Sequence, residues 1–385
     1  MVTISSNFDG GSIECVDVSD PGAIRLNLKT DPDAEESYWF FFRLAGARGT
    51  KCRLRIDNAG DVWRLAERKG TEIPGPWQDY RACASYDLQN WFRVPTEYRG
   101  GSLKMSLTPQ SDAVYFASFP AYSAERHAQF IARAAASPDA VLQVLGQTCD
   151  GNDIDMLRIG TPAEGRKVCW IVGRQHPSET MGEWFVQAFA ERLIDADDFL
   201  ARRLLGKAVF YVVPCMNPDG ARRGNTRRNG GNLDLNRAWV EPSRDKSPEV
   251  FFVREMMHRS GVDFFMDVHG DEELPYVFLG GPLEVPSLTD RMRQNFYAFE
   301  KALTTANPDY KTGYAYPGGP PPTADLRMAW NYVGETFGCL SILVEQPFKD
   351  CEHAPDEEKG WSAERSRRLG AASLVALNAV LNDLR

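Results

Sequence analysis

The apolar pattern of this chain changes character near Pro120, and that change limits it to a two-part architecture. Before Pro120, apolar residues come in short runs. Residues 51–57 alternate polar and apolar, as a half-buried strand does, and residues 38–44 are short, aromatic and end at Ala45-Gly46. Similar runs recur at 90–94, 102–107 and 113–118 with turn residues between them, which predicts an all-β, antiparallel sandwich over residues 1–118. After Pro120 the runs lengthen. Residues 167–173 are continuously apolar, as in a strand buried on both faces. The apolar positions Met181, Trp184, Phe185, Ala188, Phe189 and Leu193 then follow the spacing of one helix face. A helix over 123–136, strands at 208–214, 263–268 and 340–345, and helices over 247–259 and 361–384 complete an alternation. It predicts an α/β domain over 119–385, with a mixed, largely parallel sheet and helices on both faces. Such sheets bind ligands at the carboxyl ends of their strands. Gly-Gly-Pro at 280–282 and Pro-Gly-Gly-Pro-Pro-Pro at 317–322 read as loops rimming that edge.

At 385 residues the chain exceeds one ordinary core, so two domains are expected. Its formal net charge of −9 argues against nucleic acid or an anionic membrane as partner. No run of 18 apolar residues is present to span a bilayer. The start, MVTISSNFDGGSIEC, has neither the basic nor the apolar part of a secretory signal, which points to the cytoplasm. The eight cysteines are scattered without CxxC spacing, so free thiols are expected rather than a disulfide framework. Any histidine-dependent site must draw on His127, His176, His258, His269 and His353.

Four motifs carry chemistry. Gln175-His176-Pro177-Ser178-Glu179-Thr180 falls where a strand meets a helix, and a His and a Glu three apart at such a turn can face one point, offering nitrogen and oxygen to zinc. The apolar run 264–268 ends in His269-Gly270, which places an imidazole at the carboxyl edge. Together these supply three protein ligands, the number that marks a catalytic zinc. Asp267 or Asp271 could orient His269 from behind. Third, Glu345 ends the apolar run 342–344, where poor solvation raises a carboxyl pKa and suits a general base. Fourth, residues 217–239 bring Arg222, Arg223, Arg227 and Arg228 together with Asn236 and Arg237, and arginine forks bind carboxylates. Each motif alone has a plainer reading: a first-turn glutamate favoured by the helix dipole, a strand-end histidine, a surface ion pair, a solvated basic loop.

Taken in order, the four motifs resemble the zinc metallocarboxypeptidases of the carboxypeptidase A type. The all-β first part, the phrase Leu235-Asn236-Arg237-Ala238-Trp239 and the run 115–123 resemble the cytosolic carboxypeptidase branch. The resemblance implies one zinc per chain on His176, Glu179 and His269. It implies Glu345 as general base toward a zinc-bound water, Arg227 as the group that polarises the scissile carbonyl, and Asn236 with Arg237 as the grip on a peptide's terminal carboxylate. A peptide or protein C-terminus is thus the expected partner, and the resemblance leaves the oligomeric state open. Arg327 falls near the part of the family that lines the side-chain pocket and implies a preference for acidic C-terminal residues. The family's His-Pro-Gly-Glu is His-Pro-Ser-Glu here, and its substrate-capping tyrosine has only the candidates Tyr314, Tyr316 and Tyr332.

Two other functions fit the same residues. A zinc-dependent N-acyl amino acid amidohydrolase would use the same metal geometry, and a peptide-binding homologue would keep the fold without turnover. The presence of both Glu345 and Arg227 argues against the second. The first part of the chain carries no catalytic signature. Its tryptophans Trp39, Trp63, Trp77 and Trp91 read as core, and it is expected to pack on the catalytic part and shape the entrance to the site.

Overall fold

In the computed structural model, which describes residues 1–35, 37–61 and 75–385, the alternating runs of the first part become two five-stranded sheets. Cys52–Ile56 turns Cys52, Leu54 and Ile56 inward and Arg53 and Arg55 outward, so the period-two pattern is spent on one buried face. Among the described residues the sandwich departs from pure antiparallel pairing at one place. Ile24–Asn27 runs parallel to Cys52–Ile56. Between them the chain crosses to the other sheet, as Phe41–Ala45, and returns, so no hairpin dictates the direction of the second strand. Trp39 and Trp77 are buried and Trp91 is partly buried, while Trp63 lies outside the described residues.

The second part forms a seven-stranded sheet. In spatial order its strands are Ala140–Gln147, Asp153–Ile159, Ala208–Val213, Lys167–Gly173, Phe264–Val268, Leu340–Glu345 and Phe278–Gly280. The four from Ala208–Val213 to Leu340–Glu345 are parallel and the rest antiparallel, so the fold is a mixed α/β sheet. Alternate residues of Lys167–Gly173 face opposite sides: Cys169 and Ile171 join the core that includes Thr180–Leu193 and Ala363–Val380, whereas Trp170 and Val172 join the core beneath Pro248–Ser260 and Ala329–Phe337. Cover on both faces is what the continuous apolar runs require.

Three features differ from expectation. The helix Thr180–Leu193 is buried almost all round rather than along one face. It is wedged between the sheet and the closing helix, where a Cβ at Gly370 would stand 2.2 Å from the carbonyl oxygen of Phe185. The strand Ala140–Gln147 escaped the sequence pattern because it lies at the sheet edge with Val141, Leu142 and Val144 exposed, so no clean alternation marks it. Between the two proline-glycine loops stands a 17-residue helix, Asp290–Ala306, which the expected run of elements does not include.

The two parts share one core. Tyr38 and Phe119 pack edge-on against Phe348, at ring separations of 5.0 and 5.9 Å. Arg93 donates across the join to the carbonyls of Phe348, Lys359 and Trp361.

Candidate active site

The site is assembled by sheet register. Gly173 pairs with Val268 and Val268 with Val344, so three neighbouring strands end level. The loops beyond the first two carry His176 and His269, Glu345 ends the third, and the amide of His269 donates to the carbonyl of Val344 at 2.8 Å. Close approach matters here. A Cβ on Gly182 would stand 2.8 Å from the Val268 carbonyl oxygen, and one on Gly270 would stand 2.4 Å from the Met181 sulfur. Glycine at both positions lets the helix start sit against the strand ends.

His176, Glu179 and His269 converge, with candidate ligand atoms all within 4.8 Å of one another. The Glu179 carboxylate faces Nδ1 of His176 at 2.6 Å and Nδ1 of His269 at 2.7 Å. The opposite nitrogens are held by acceptors: His176 Nε2 lies 3.1 Å from Asp234 and His269 Nε2 lies 3.0 Å from Asp267. A carboxylate only accepts, so each ring faces acceptors at both nitrogens; a metal at the common centre would take the lone pair of each Nδ1 and leave the hydrogen on each Nε2, toward Asp234 or Asp267. Two imidazole nitrogens and a carboxylate oxygen, all buried, suit zinc. Burial alone would raise the Glu179 carboxyl, but the two histidines hold it down at about 2.

Of the two candidates to orient His269, the structure selects Asp267. Asp271 instead accepts from the amides of Glu273 and Leu274 and so closes the turn after the strand. Asp267 is steadied by Gln175, whose amide nitrogen donates to both its oxygens at 2.9 and 2.8 Å, and Trp239 donates to the Gln175 carbonyl oxygen at 2.9 Å. Gln175 and Asp234 lie inside the quoted motifs, yet nothing in their spacing marks them as supports.

Glu345 is buried at the end of its strand. Tyr316 donates to its Oε1 at 2.6 Å, while Oε2 is buried without a hydrogen-bond partner. Burial pushes the Glu345 carboxyl well above its ordinary range, with Glu179 and Asp271 adding to the rise and His269 opposing it. Of the three candidate tyrosines, Tyr316 is the one bonded to this carboxylate; Tyr314 stacks on His353 and Tyr332 pairs with His258.

The four arginines of the basic stretch separate. Arg222 and Arg223 lie on the exposed face of the short helix Pro218–Arg223, with Arg223 paired to Asp150. Arg227 turns inward, its Nε 2.8 Å from Asp234. Burial works against its charge, but Asp234 and Glu179 hold the guanidinium firmly protonated. Asn236 is buried, its carbonyl oxygen accepting from the amide of Ala329 at 2.9 Å and its amide nitrogen 3.4 Å from His269 Nε2. Arg237 is partly buried beside it, donating to the backbone carbonyl of Asn236. Arg327 is exposed and doubly bonded to Asp325 at 2.9 and 2.8 Å. No helix among the described residues is long and apolar enough to cross a membrane.

Comparison with known proteins places this geometry in context. Residues 4–119 match the model of the cytosolic carboxypeptidase N-terminal domain, and residues 127–350 match that of zinc carboxypeptidase. A metallo-carboxypeptidase from Burkholderia cenocepacia superposes with a TM-score of 0.92 at 42% identity, over 100% of this chain and 99% of that one. A metallo-carboxypeptidase from Pseudomonas aeruginosa, solved in complex with (2-guanidinoethylmercapto)succinic acid, superposes with a TM-score of 0.93 at 40% identity over the full length of both. Cytosolic carboxypeptidase 2 of Danio rerio is 27% identical over 283 residues, covering 66% of this chain and 39% of that protein.

Proposed function

This chain belongs to the zinc carboxypeptidase family and is a zinc metallopeptidase, and we propose that it removes single residues from the free C-terminus of peptides or proteins with Glu345 as general base. The observation that carries this reading is the Glu345 carboxylate. It is buried, held on one oxygen by Tyr316, and leaves Oε2 without a partner next to the His176, Glu179 and His269 cluster.

In this reading His176, Glu179 and His269 hold the metal. A zinc ion there supplies Lewis acidity and lowers the pKa of water toward about 7. Glu345 takes the proton of the attacking water at Oε2 and passes it to the departing amine. Arg227, kept charged by Asp234, donates to the carbonyl oxygen as negative charge develops on it. Arg237 and the amide nitrogen of Asn236 anchor the terminal carboxylate; the Asn236 oxygen is already committed to Ala329, which turns its donor side toward a ligand. Anchoring by the free end confines cleavage to the last peptide bond.

Arg327 is the support for an acidic preference. Its guanidinium is forked onto Asp325, so it meets an acidic side chain only by giving up that partner. The guanidino arm of the ligand bound by the Pseudomonas relative is the reason to test basic ends beside acidic ones. The test is mass spectrometry of peptides ending in Glu, Asp, Lys, Leu or Phe, free and amidated, with metal and with chelator. Loss of one residue, only from free ends and only with metal, is the expected result. Cleavage of amidated ends, or of N-acyl amino acids alone, overturns the proposal.

A further inference from the structure

The buried carboxylate of Asp31, in the N-terminal part, accepts three successive backbone amides of the catalytic part. Thr226 N donates to Oδ1 at 2.6 Å, and Arg227 N and Arg228 N donate to Oδ2 at 2.7 and 2.8 Å. Three N–H groups converging on one anion make a backbone nest, and charge-assisted bonds of this kind are about twice as strong as neutral ones. The same loop is held at Thr226 by four other bonds. Its hydroxyl oxygen accepts the amides of Tyr38 and Trp39 at 2.9 and 3.1 Å. Its carbonyl accepts the Ser178 hydroxyl at 2.7 Å and the Ser178 amide at 3.2 Å. Ser178 sits inside the His176-Pro177-Ser178-Glu179 turn, so the residue that departs from the family's glycine joins the metal-binding turn to the arginine loop.

From this we infer that Asp31 is a positioning residue for the reaction: by clamping the backbone of residues 226–228, the N-terminal domain sets where the Arg227 guanidinium meets the scissile carbonyl. The inference rests on the role given to Arg227 above. The physical reason is lever length. The Arg227 side chain leaves from the clamped peptide, its guanidinium is pinned again by Asp234, and a shift of the backbone moves the donor relative to the carbonyl oxygen. Misplacement by about 1 Å costs up to about a hundredfold in rate. Because Asp31 sits outside the catalytic fold, it makes the N-terminal domain part of the catalytic machinery rather than a cover for it.

A double-mutant cycle on the full-length, zinc-loaded protein tests this. Asp31→Asn removes the charge at nearly constant volume. It is expected to lower kcat about ten- to a hundredfold with KM changed less than about twofold and zinc stoichiometry intact, because an interaction made mainly in the transition state is lost. In an Arg227→Ala background the same substitution is expected to cost less than about twofold, since the group it positions is gone. Asp31→Glu keeps the charge and is expected to recover part of the lost kcat; it serves in the same cycle should the Asn variant not fold. Unchanged kcat in Asp31→Asn, an equal loss in both backgrounds, or loss of zinc overturns the inference. Full activity in Arg227→Ala alone overturns instead the role of Arg227, so the two failures are distinct.

Discussion

Asp234 and His176 meet at 3.1 Å, carboxylate Oδ1 to imidazole Nε2, while the other oxygen of Asp234 holds Arg227 Nε at 2.8 Å. One side chain thereby orients a candidate metal ligand and the cation beside it. Burial alone would raise the Asp234 carboxyl, but Arg227 and His176 hold it well below its usual range, so it stays an acceptor toward both.

Replacing Asp234 by Asn should weaken zinc binding about ten- to a hundredfold, because the imidazole loses the acceptor that sets its tautomer. Competition with a chromogenic chelator reads this directly. An affinity equal to the parent's would show that Asp234 serves only the fold.

Glu345→Gln keeps the shape and removes the base. Turnover should fall roughly 10²- to 10⁴-fold with zinc still bound, as measured by single-turnover kinetics and metal analysis. Unchanged turnover would remove Glu345 from its assigned role.

Tyr316→Phe tests the hydrogen bond that favours the ionised form of Glu345. Without the donor the carboxyl pKa rises, and since a base must be ionised to act, the rising limb of kcat/KM should move to higher pH. A limb that stays in place, or moves down, contradicts the contact.

Glu249 makes a stability prediction. Burial raises its carboxyl from 4.5 to about 7, against the opposing help of its own backbone amide and of Asn229. A pKa higher in the folded than in the unfolded state means the folded protein binds that proton more tightly. Its contribution is therefore full below about pH 4.5 and is lost as pH rises through about 7, by an amount on the order of 3 kcal/mol. Glu249→Gln should melt higher than the parent above about pH 7 and show a flatter pH dependence below it. Parallel melting curves for the two proteins across this range would refute the assignment.

Arg93 ties the two parts through three carbonyls of the second. Arg93→Ala leaves those acceptors unmet and should lower the unfolding free energy by roughly 2–3 kcal/mol in urea titration. An unshifted midpoint would mean that water replaces the guanidinium without penalty.

Much of this protein is readable along the chain because its signals are local. The apolar runs 167–173, 264–268 and 340–345 are continuous because those strands are covered on both faces, and the parallel sheet follows from them. His176, Glu179, His269 and Glu345 stand where such runs stop, so sheet register alone brings them to one edge. The edge strand 140–147 was not legible, since exposure blurs its period, whereas the helix 290–306 does carry a helical spacing in Met292, Phe296, Phe299 and Leu303, set between the two proline-glycine loops. What only tertiary structure decided are the partners of those residues. Asp267 rather than Asp271 backs His269, and Asp234 joins His176 to Arg227, although 58 residues separate His176 from that carboxylate. Asp31 reaches the arginine loop across 195 residues. Pairings of this kind leave no period and no spacing, because a hydrogen bond depends on where two backbones finish and not on the residues between them.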